Sequence, residues 1–398
     1  MTLARCFVLA ILVCGLAIGL DDSWKVIRVT NLRESGPGSL RAALESKGPR
    51  VIVLEVGGII DLNRKNLKIA EPYVYAAGET APPPGITIIR GGILITGHHV
   101  TLRHLRVRPG DAGQPKKSGW EPEVTTSAAH DVVVDHCSMS WAVDENLSAS
   151  GPRTEGPEAT SRNITFSNNF ITEGLRDSSH TKGPHSMGTL VHDNCTRIAI
   201  IGNFYAHNNA RNPYFKAFTT GAVVNNLIYN PGSAGITVNY ADAEWEGTNI
   251  KPQNARIAVV GNVMIQGVNT RRGLALVTSR GDVYLEDNIA LDAGGRPVAH
   301  TSGAIRLLDE KPFWPEGFKA LPASEVVEYV LRNAGARPKD RDAVDLRLIR
   351  EFRERKGRII DSQEEVGGYP RAEPTHRPLD VPKGNLAAWL ARFAAEVE

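Results

Sequence analysis

Three groups of charged residues in this 398-residue chain are spaced so that they could do chemistry together. Glu121 and Glu123 precede a hydrophobic run, and Asp144 and Glu145 follow it. Carboxylates are the oxygen donors that a hard cation prefers, so acids grouped in this way could bind one. Taken singly, each is more often a solvated loop residue. A second group lies in RNPYFK (211–216), where Arg211 and Lys216 bracket an Asn-Pro turn. An arginine in such a turn is ordinarily a surface residue, and its flanks decide whether it is more. The third group is HTKGPHSMG (180–188), which carries His180, Lys182 and His185 and follows Arg176. The two histidines could ligate a metal, although a spacing of five suits no helix face.

The elements that must position these groups are short β-branched runs, each broken by a polar pair: ITIIRGGILI (86–95), VTLRHLRV (100–107), VVVDHCSMS (132–140), ITFSNNFIT (164–172), IAIIGNFYA (198–206), AVVNNLIYN (222–230), IAVVGNVMI (257–265) and VYLEDNIAL (283–291). Aligning the second polar residue in six of them gives His136, Asn169, Asn203, Asn226, Asn262 and Asn288, with gaps of 33, 34, 23, 36 and 26 residues. A regular core with irregular gaps is what a solenoid gives when loops of different length are inserted on one side. Asparagine at each corner predicts a ladder, since its amide bonds neighbouring backbone and it tolerates a left-handed bend. A β-sandwich also alternates strands and turns, but it would show Asn-Gly hairpin signals, and every repeat here runs strand, Asn, strand. The fold expected is therefore all-β: a right-handed parallel β-helix, a single-stranded solenoid. RNPYFK lies between two of its core repeats, and that placement favours a functional Arg211 over a surface one.

The ends differ from the middle. SGPGSLRAAL (35–44) reads as a turn followed by a short capping helix with Ser39 as N-cap. Beyond about residue 310 the β pattern stops. Helical stripes follow: Val326, Val327, Val330 and Leu331 with Gly335 as the stop, then Val344, Leu348 and Phe352, then Leu386, Trp389, Leu390 and Phe393. Arg5 followed by the apolar run Cys6–Leu20, ended by Asp21 and Asp22, is too short to span a bilayer and reads as an export signal. The expected organisation is a signal peptide over 1–20, a β-helix catalytic domain over 21–310, and a helical or irregular tail over 311–398 packed on the β-helix or its end. Removing the signal takes Cys6 and Cys14 and leaves Cys137 and Cys195, too few for a disulfide framework, so an ordinary core must hold the fold. A net charge of +2 argues for neither nucleic acid nor membrane as a partner, and any acidic ligand must be drawn by a local basic cluster.

VTNLRESGPGSLRAAL (29–44), AGETAPPPGITI (77–88), RHLRVRPGD (103–111) and VVVDHCSMSWAVDENLS (132–148) resemble polysaccharide lyase family 1, the pectate lyase family. AGARPKDRDAVD (334–345) and VGGYP (366–370) are similar to the tail of one bacterial branch of it, so the likeness runs over nearly the whole chain after the signal. The resemblance implies an extracellular or periplasmic, monomeric enzyme that cleaves pectate by calcium-assisted β-elimination, leaving 4,5-unsaturated galacturonosyl ends. That chemistry removes a weakly acidic C5 proton beside a carboxylate, and it needs a cation, cationic groups for the polyanion, and a base.

By the same match, Arg211 corresponds to the general base and Lys216 to a substrate-binding arginine, as a lysine that loses the bidentate fork. Glu121, Glu123 and Asp144 stand near the family's acidic calcium ligands. Ser148 replaces the next, with Glu145 as its substitute. Lys182, Arg176 and His185 compete for the role of a substrate-gripping lysine. Trp141 either stacks on a sugar ring or fills the core, and Asp135 and His136 read as structural. A pectin lyase or other polyuronide lyase is the nearest rival, and the acids speak against one that works without calcium. A β-helix hydrolase would carry a paired Asp-Asp in a core repeat, which is missing here. A non-catalytic glycan-binding β-helix would leave the joint placement of Arg211 and the acids unexplained.

Overall fold

The computed structural model describes Leu20 and residues 22–398, so the expected export signal, with Cys6 and Cys14, lies outside the described residues apart from Leu20. The chain winds into a right-handed parallel β-helix whose coils stack in register along three faces. One face runs through strands Lys25–Val29, Arg50–Leu54, Val74–Ala77, Val100–Arg103, His130–Asp135, Arg162–Ser167, Thr196–Ile201, Thr220–Val224 and Arg256–Val260. After a short corner, one residue at Glu55 and two in the coils from His130–Asp135 onward, a second face begins at Val56–Asp61 and continues through Ser138–Ser140, Phe170–Thr172 and Phe204–Ala206 to Ile289–Leu291. A third face holds Val124–Ser127, Glu145–Ser150, Met187–Val191, Tyr214–Phe215 and Ile236–Val238. Inward residues of all three faces make one core, in which Ile52, Val134, Phe166, Ile200 and Val223 are almost fully buried.

The asparagine ladder holds the corner between the first and second faces. Asn169 donates to Asn203 at 3.0 Å, Asn203 to Asn226 at 2.9 Å, Asn226 to Asn262 at 2.9 Å and Asn262 to Asn288 at 3.1 Å. Two details differ from the sequence reading. Val134 pairs with Phe166 and Asp135 with Ser167, which puts Cys137 at the ladder position in that coil, its N–H donating to Asn169 at 2.8 Å; His136 is one residue early. The left-handed bend falls on the preceding residue, at His136, Asn168, Gly202, Asn225, Gly261 and Asp287. The corner thus divides its work, one residue turning the chain and the next bonding across coils.

Helix α1 (Leu40–Leu44) is capped by Ser39, whose hydroxyl accepts from the Ala42 N–H at 3.2 Å, and buries Leu40, Ala43 and Leu44 in the end of the core. The tail runs back along the outside of the barrel. Helices α2 (Ala323–Asn333) and α3 (Ala343–Arg353) lay Val326, Val330, Leu348 and Phe352 against Phe170, Phe204, Leu227 and Val263 of the second face. Buried Arg108 locks this contact, bonding to Asp342 and, at 2.8 Å, to Asp345. Helix α4 (Leu386–Val397) packs Trp389 and Leu390 over Val51, Val53 and Tyr75 of the first coils. Cys137 and Cys195 are free, buried thiols, each pushed up to about 12 by burial. No helix among the described residues is long and apolar enough to cross a membrane.

Candidate active site

The charged groups meet where the chain leaves the second face and enters the third. Glu145 opens the strand Glu145–Ser150, with Asp144 just before it, and the next coil lays Met187 over Glu145. One coil further on, Arg211 adopts φ 60°, and its backbone passes close to Gly188. From there its guanidinium reaches back to pair with Glu145 and comes within 3.9 Å of Asp144. Glu145, expected among the metal ligands, has its carboxylate paired with Arg211. Burial draws the guanidinium below its usual range, opposed by the charges of Asp144 and Glu123.

The remaining acids surround this pair. Glu123 accepts from the Ser148 hydroxyl at 2.9 Å, so Ser148, at a position where the resemblance implies an acid, holds a neighbouring one. Burial and then the Asp144 charge push Glu123 up to about 7. Glu121 accepts from the backbone N–H and the hydroxyl of Thr181, at 2.8 and 2.7 Å. Burial works to raise Glu121, but these bonds and the charges of His180 and His185 hold it below the usual carboxylate range. His180 and His185 stack at 3.4 Å between centroids, and each points an Nε2 at Asp144, at 3.7 and 3.9 Å. They lie on a loop that folds back on itself, so helix spacing was the wrong test for them. Burial, reinforced by His185, pulls His180 below its normal value.

These residues suit a hard divalent cation. Burial and the nearby Asp144 charge both disfavour an ionised Glu123, and a cation between the two carboxylates relieves that cost. Glu121, Glu123 and Asp144 are the oxygens that would hold it.

The cations expected to grip the substrate are spread out. Lys182 is exposed on the loop that carries His180 and His185. Arg176 is turned toward the tail and pairs with Asp361 at 3.4 Å. Lys216 is buried and neutralised twice, by Asp193 at 3.2 Å and by Glu244. Trp141 is fully buried between barrel and tail, and its indole N–H donates to Glu173 at 2.9 Å, which leaves it no face for a sugar. Asp135 and His136 bond to each other at 2.8 Å inside the coil.

Sequence reasoning missed a second asparagine network directly beneath the site. Asn146 donates to Asn208 at 3.2 Å, and Asn208 donates to Asn212 at 3.1 Å. The Asn-rich stretch HNNARNP was the available signal.

No family model matches the chain. Over 367 residues it is 29% identical to a probable pectate lyase C of Aspergillus terreus, covering 88% of this chain and 78% of that protein. The protein of the same name in Aspergillus oryzae is 28% identical over 368 residues, covering 89% and 79%. Among solved structures, jun a 1, the major allergen of cedar pollen, superposes with a TM-score of 0.55 at 15% identity, over 78% of this chain and 88% of its own. The pectate lyase pelN of Paenibacillus sp. 0602 does so with a TM-score of 0.51 at 13% identity, over 83% and 95%. These last two likenesses are of fold alone. The motifs spread along the sequence, the stacked-coil architecture and the curated relatives converge on one likeness, to the pectate lyases.

Proposed function

We propose that this protein is an exported, monomeric lyase that cleaves pectate by calcium-assisted β-elimination. The observation that carries the reading is the approach of Arg211 to Asp144, at 3.9 Å, on the flank where Glu121 and Glu123 also lie. A calcium ion held by Glu121, Glu123 and Asp144 would neutralise the uronate carboxylate and so make the C5 proton easier to remove. Arg211 takes that proton. Its electron pair forms the C4–C5 double bond as the C4–O bond breaks, and the leaving oxygen is protonated from solvent.

An arginine acts as a base only if its neutral form is within reach, because its ordinary pKa exceeds about 12. Burial already favours that form here. Glu145 opposes it in the resting site, but a salt link that exchanges for substrate and cation frees the guanidinium at the moment of reaction. Glu145 is thus a positioning residue, and Lys182 supplies a nearby cationic edge for the polyanion, with His185 on the same loop.

Incubation with polygalacturonate should generate unsaturated ends that absorb in the ultraviolet, and a chelator should abolish them. Reducing ends without that absorbance would instead indicate hydrolysis. Equal turnover of fully methyl-esterified pectin in chelator would indicate a pectin lyase.

A further inference from the structure

A second cluster of ligating side chains lies at the other end of the third face, where the chain turns from it into the first. Val100 pairs with Val132, so two residues upstream His98 lies over His130 in the next coil, and their rings stack at 4.6 Å with a 4° interplanar angle. His99 is adjacent, with its Nδ1 2.8 Å from the Nδ1 of His98. One nitrogen from each of the three rings fits within a 4.8 Å sphere of mutual distances. All three rings are half-buried and reach solvent.

From this geometry we propose that His98, His99 and His130 form a binding site for a borderline transition-metal ion of the zinc class, stapling two successive coils. Imidazole nitrogens favour such ions over calcium, which prefers oxygen. Two nitrogens bound to one tetrahedral ion sit about 3.3 Å apart, so the 2.8 Å pair needs to open by only about half an ångström.

The surroundings are those of a metal-binding histidine. The Nδ1 of His130 lies 2.6 Å from a carboxylate oxygen of Asp131, which would leave its Nε2 as the free ligand atom. Asp131 is itself fixed by Asn163, which donates to its other oxygen at 3.0 Å. Tyr73 packs over His98 and His99 at 5.3 and 4.8 Å and closes one side. His99 and Asp131 hold left-handed backbone, φ 54° in each. The same bend falls on Tyr73, Asn163 and Arg197 in neighbouring coils, so the repeating corner of the solenoid sets the direction of these side chains.

Zn2+ titrated calorimetrically into the full chain, with excess Ca2+ present, tests this. The titration is best run in a His180→Gln/His185→Gln background, which removes the imidazoles near Asp144. One equivalent of Zn2+ should bind and raise the melting temperature, and His98→Ala/His130→Ala should abolish both effects while leaving far-ultraviolet circular dichroism unchanged. Asp131→Asn, a milder change, should weaken binding about 10- to 100-fold. In the otherwise wild-type chain, His98→Ala/His130→Ala should leave pectate cleavage unaltered. Zn2+ binding unchanged by either set of substitutions, or no binding in the parent, overturns the proposal. Should the double variant fail to fold, Asp131→Asn and Co2+ visible absorption of the parent decide it, because tetrahedral nitrogen ligation gives intense bands and solvated Co2+ does not.

Discussion

Asn146 donates to Asn208 at 3.2 Å, and through that contact the backbone carrying Glu145 is tied to the backbone carrying Arg211 two coils away. Asn146 follows Glu145 directly, and Asn212 follows Arg211. Asn208 bonds to both, and its carbonyl oxygen also accepts from the Gly174 N–H at 3.0 Å in the coil between. Each of these amides is buried. A buried network of this kind fixes geometry more than it adds stability, since each unmade bond leaves a desolvated partner.

Asn208→Ala should therefore disturb three coils at once. The expected loss is about 1–3 kcal/mol of stability, for partners left unsatisfied. It should come with a fall in kcat that persists at temperatures where the variant is fully folded. Normal kcat in the folded variant would show that the network is structural only.

Arg211→Ala should lower kcat by about 100- to 10,000-fold, the range for removing a general base, with circular dichroism unchanged and a lower melting temperature, because Glu145 is left buried without its partner. Glu145→Gln separates positioning from chemistry. It keeps the shape but releases the guanidinium, so the pH profile of kcat should move while KM changes little. An Arg211→Ala enzyme that retains turnover would discard the base assignment.

Much of this was readable from the residues, and the parts that were not have physical reasons. The ladder asparagines announced themselves because a solenoid reuses one corner geometry in every coil. The one-residue error at His136 arose because Cys137 takes the ladder position there, and a cysteine lends only its backbone N–H to the contact. The pairing of Arg211 with Glu145 spans two coils and depends on loop lengths that no periodicity encodes. His180 and His185 meet by a loop reversal, which helix spacing does not describe. Lys216 was legible as a cation, but its neutralisation by Asp193 and Glu244 comes from two other coils.

Calcium dependence should track the three acids proposed to hold the cation. Glu123→Gln and Asp144→Asn each remove a charged ligand, so both should raise the calcium concentration needed for half-maximal activity by at least about tenfold. Glu121→Gln should do so less, because Thr181 already occupies one of its oxygens. Calorimetric calcium binding gives the same ordering independently of turnover. Unchanged calcium affinity in Asp144→Asn would move the ion elsewhere.

Helix α4 should loosen in acid. Glu398 lies against Arg103, His104 and His136, with Asp135 and Tyr329 close by. Burial works to raise Glu398, but the His104 bond and the His136 and Arg103 charges hold it at about 2, below its normal 4.5. A carboxylate depressed in the folded state contributes stability that is complete above its unfolded pKa and is lost as pH falls through the folded one. His104, lowered chiefly by burial, acts in the same sense, since taking up a proton is easier once it is exposed. The protection factors of the α4 amides should fall between about pH 4.5 and 2, ahead of those of the barrel amides. Simultaneous exchange of helix and barrel would mean that the contact is not a separate unit.

The sharpest structural test of the site is Gly188. A methyl group there would lie 2.5 Å from the carbonyl oxygen of Arg211 and 3.0 Å from the Asn212 side chain. Both atoms belong to the turn that aims the guanidinium, and the Thr189 N–H also donates to the Arg211 carbonyl, at 2.6 Å. Backbone carbonyls cannot rotate away as side-chain ends can, so Gly188→Ala must push the whole turn outward. A displacement near 1 Å at a reacting group lowers rates by about 100-fold even when no functional group is removed. The variant should keep its calcium affinity, because Glu121, Glu123 and Asp144 sit on other coils, and it should lose kcat. Loss of calcium binding together with activity would show that the turn holds the metal site as well as the base, and full activity would show that Arg211 does not need its present position.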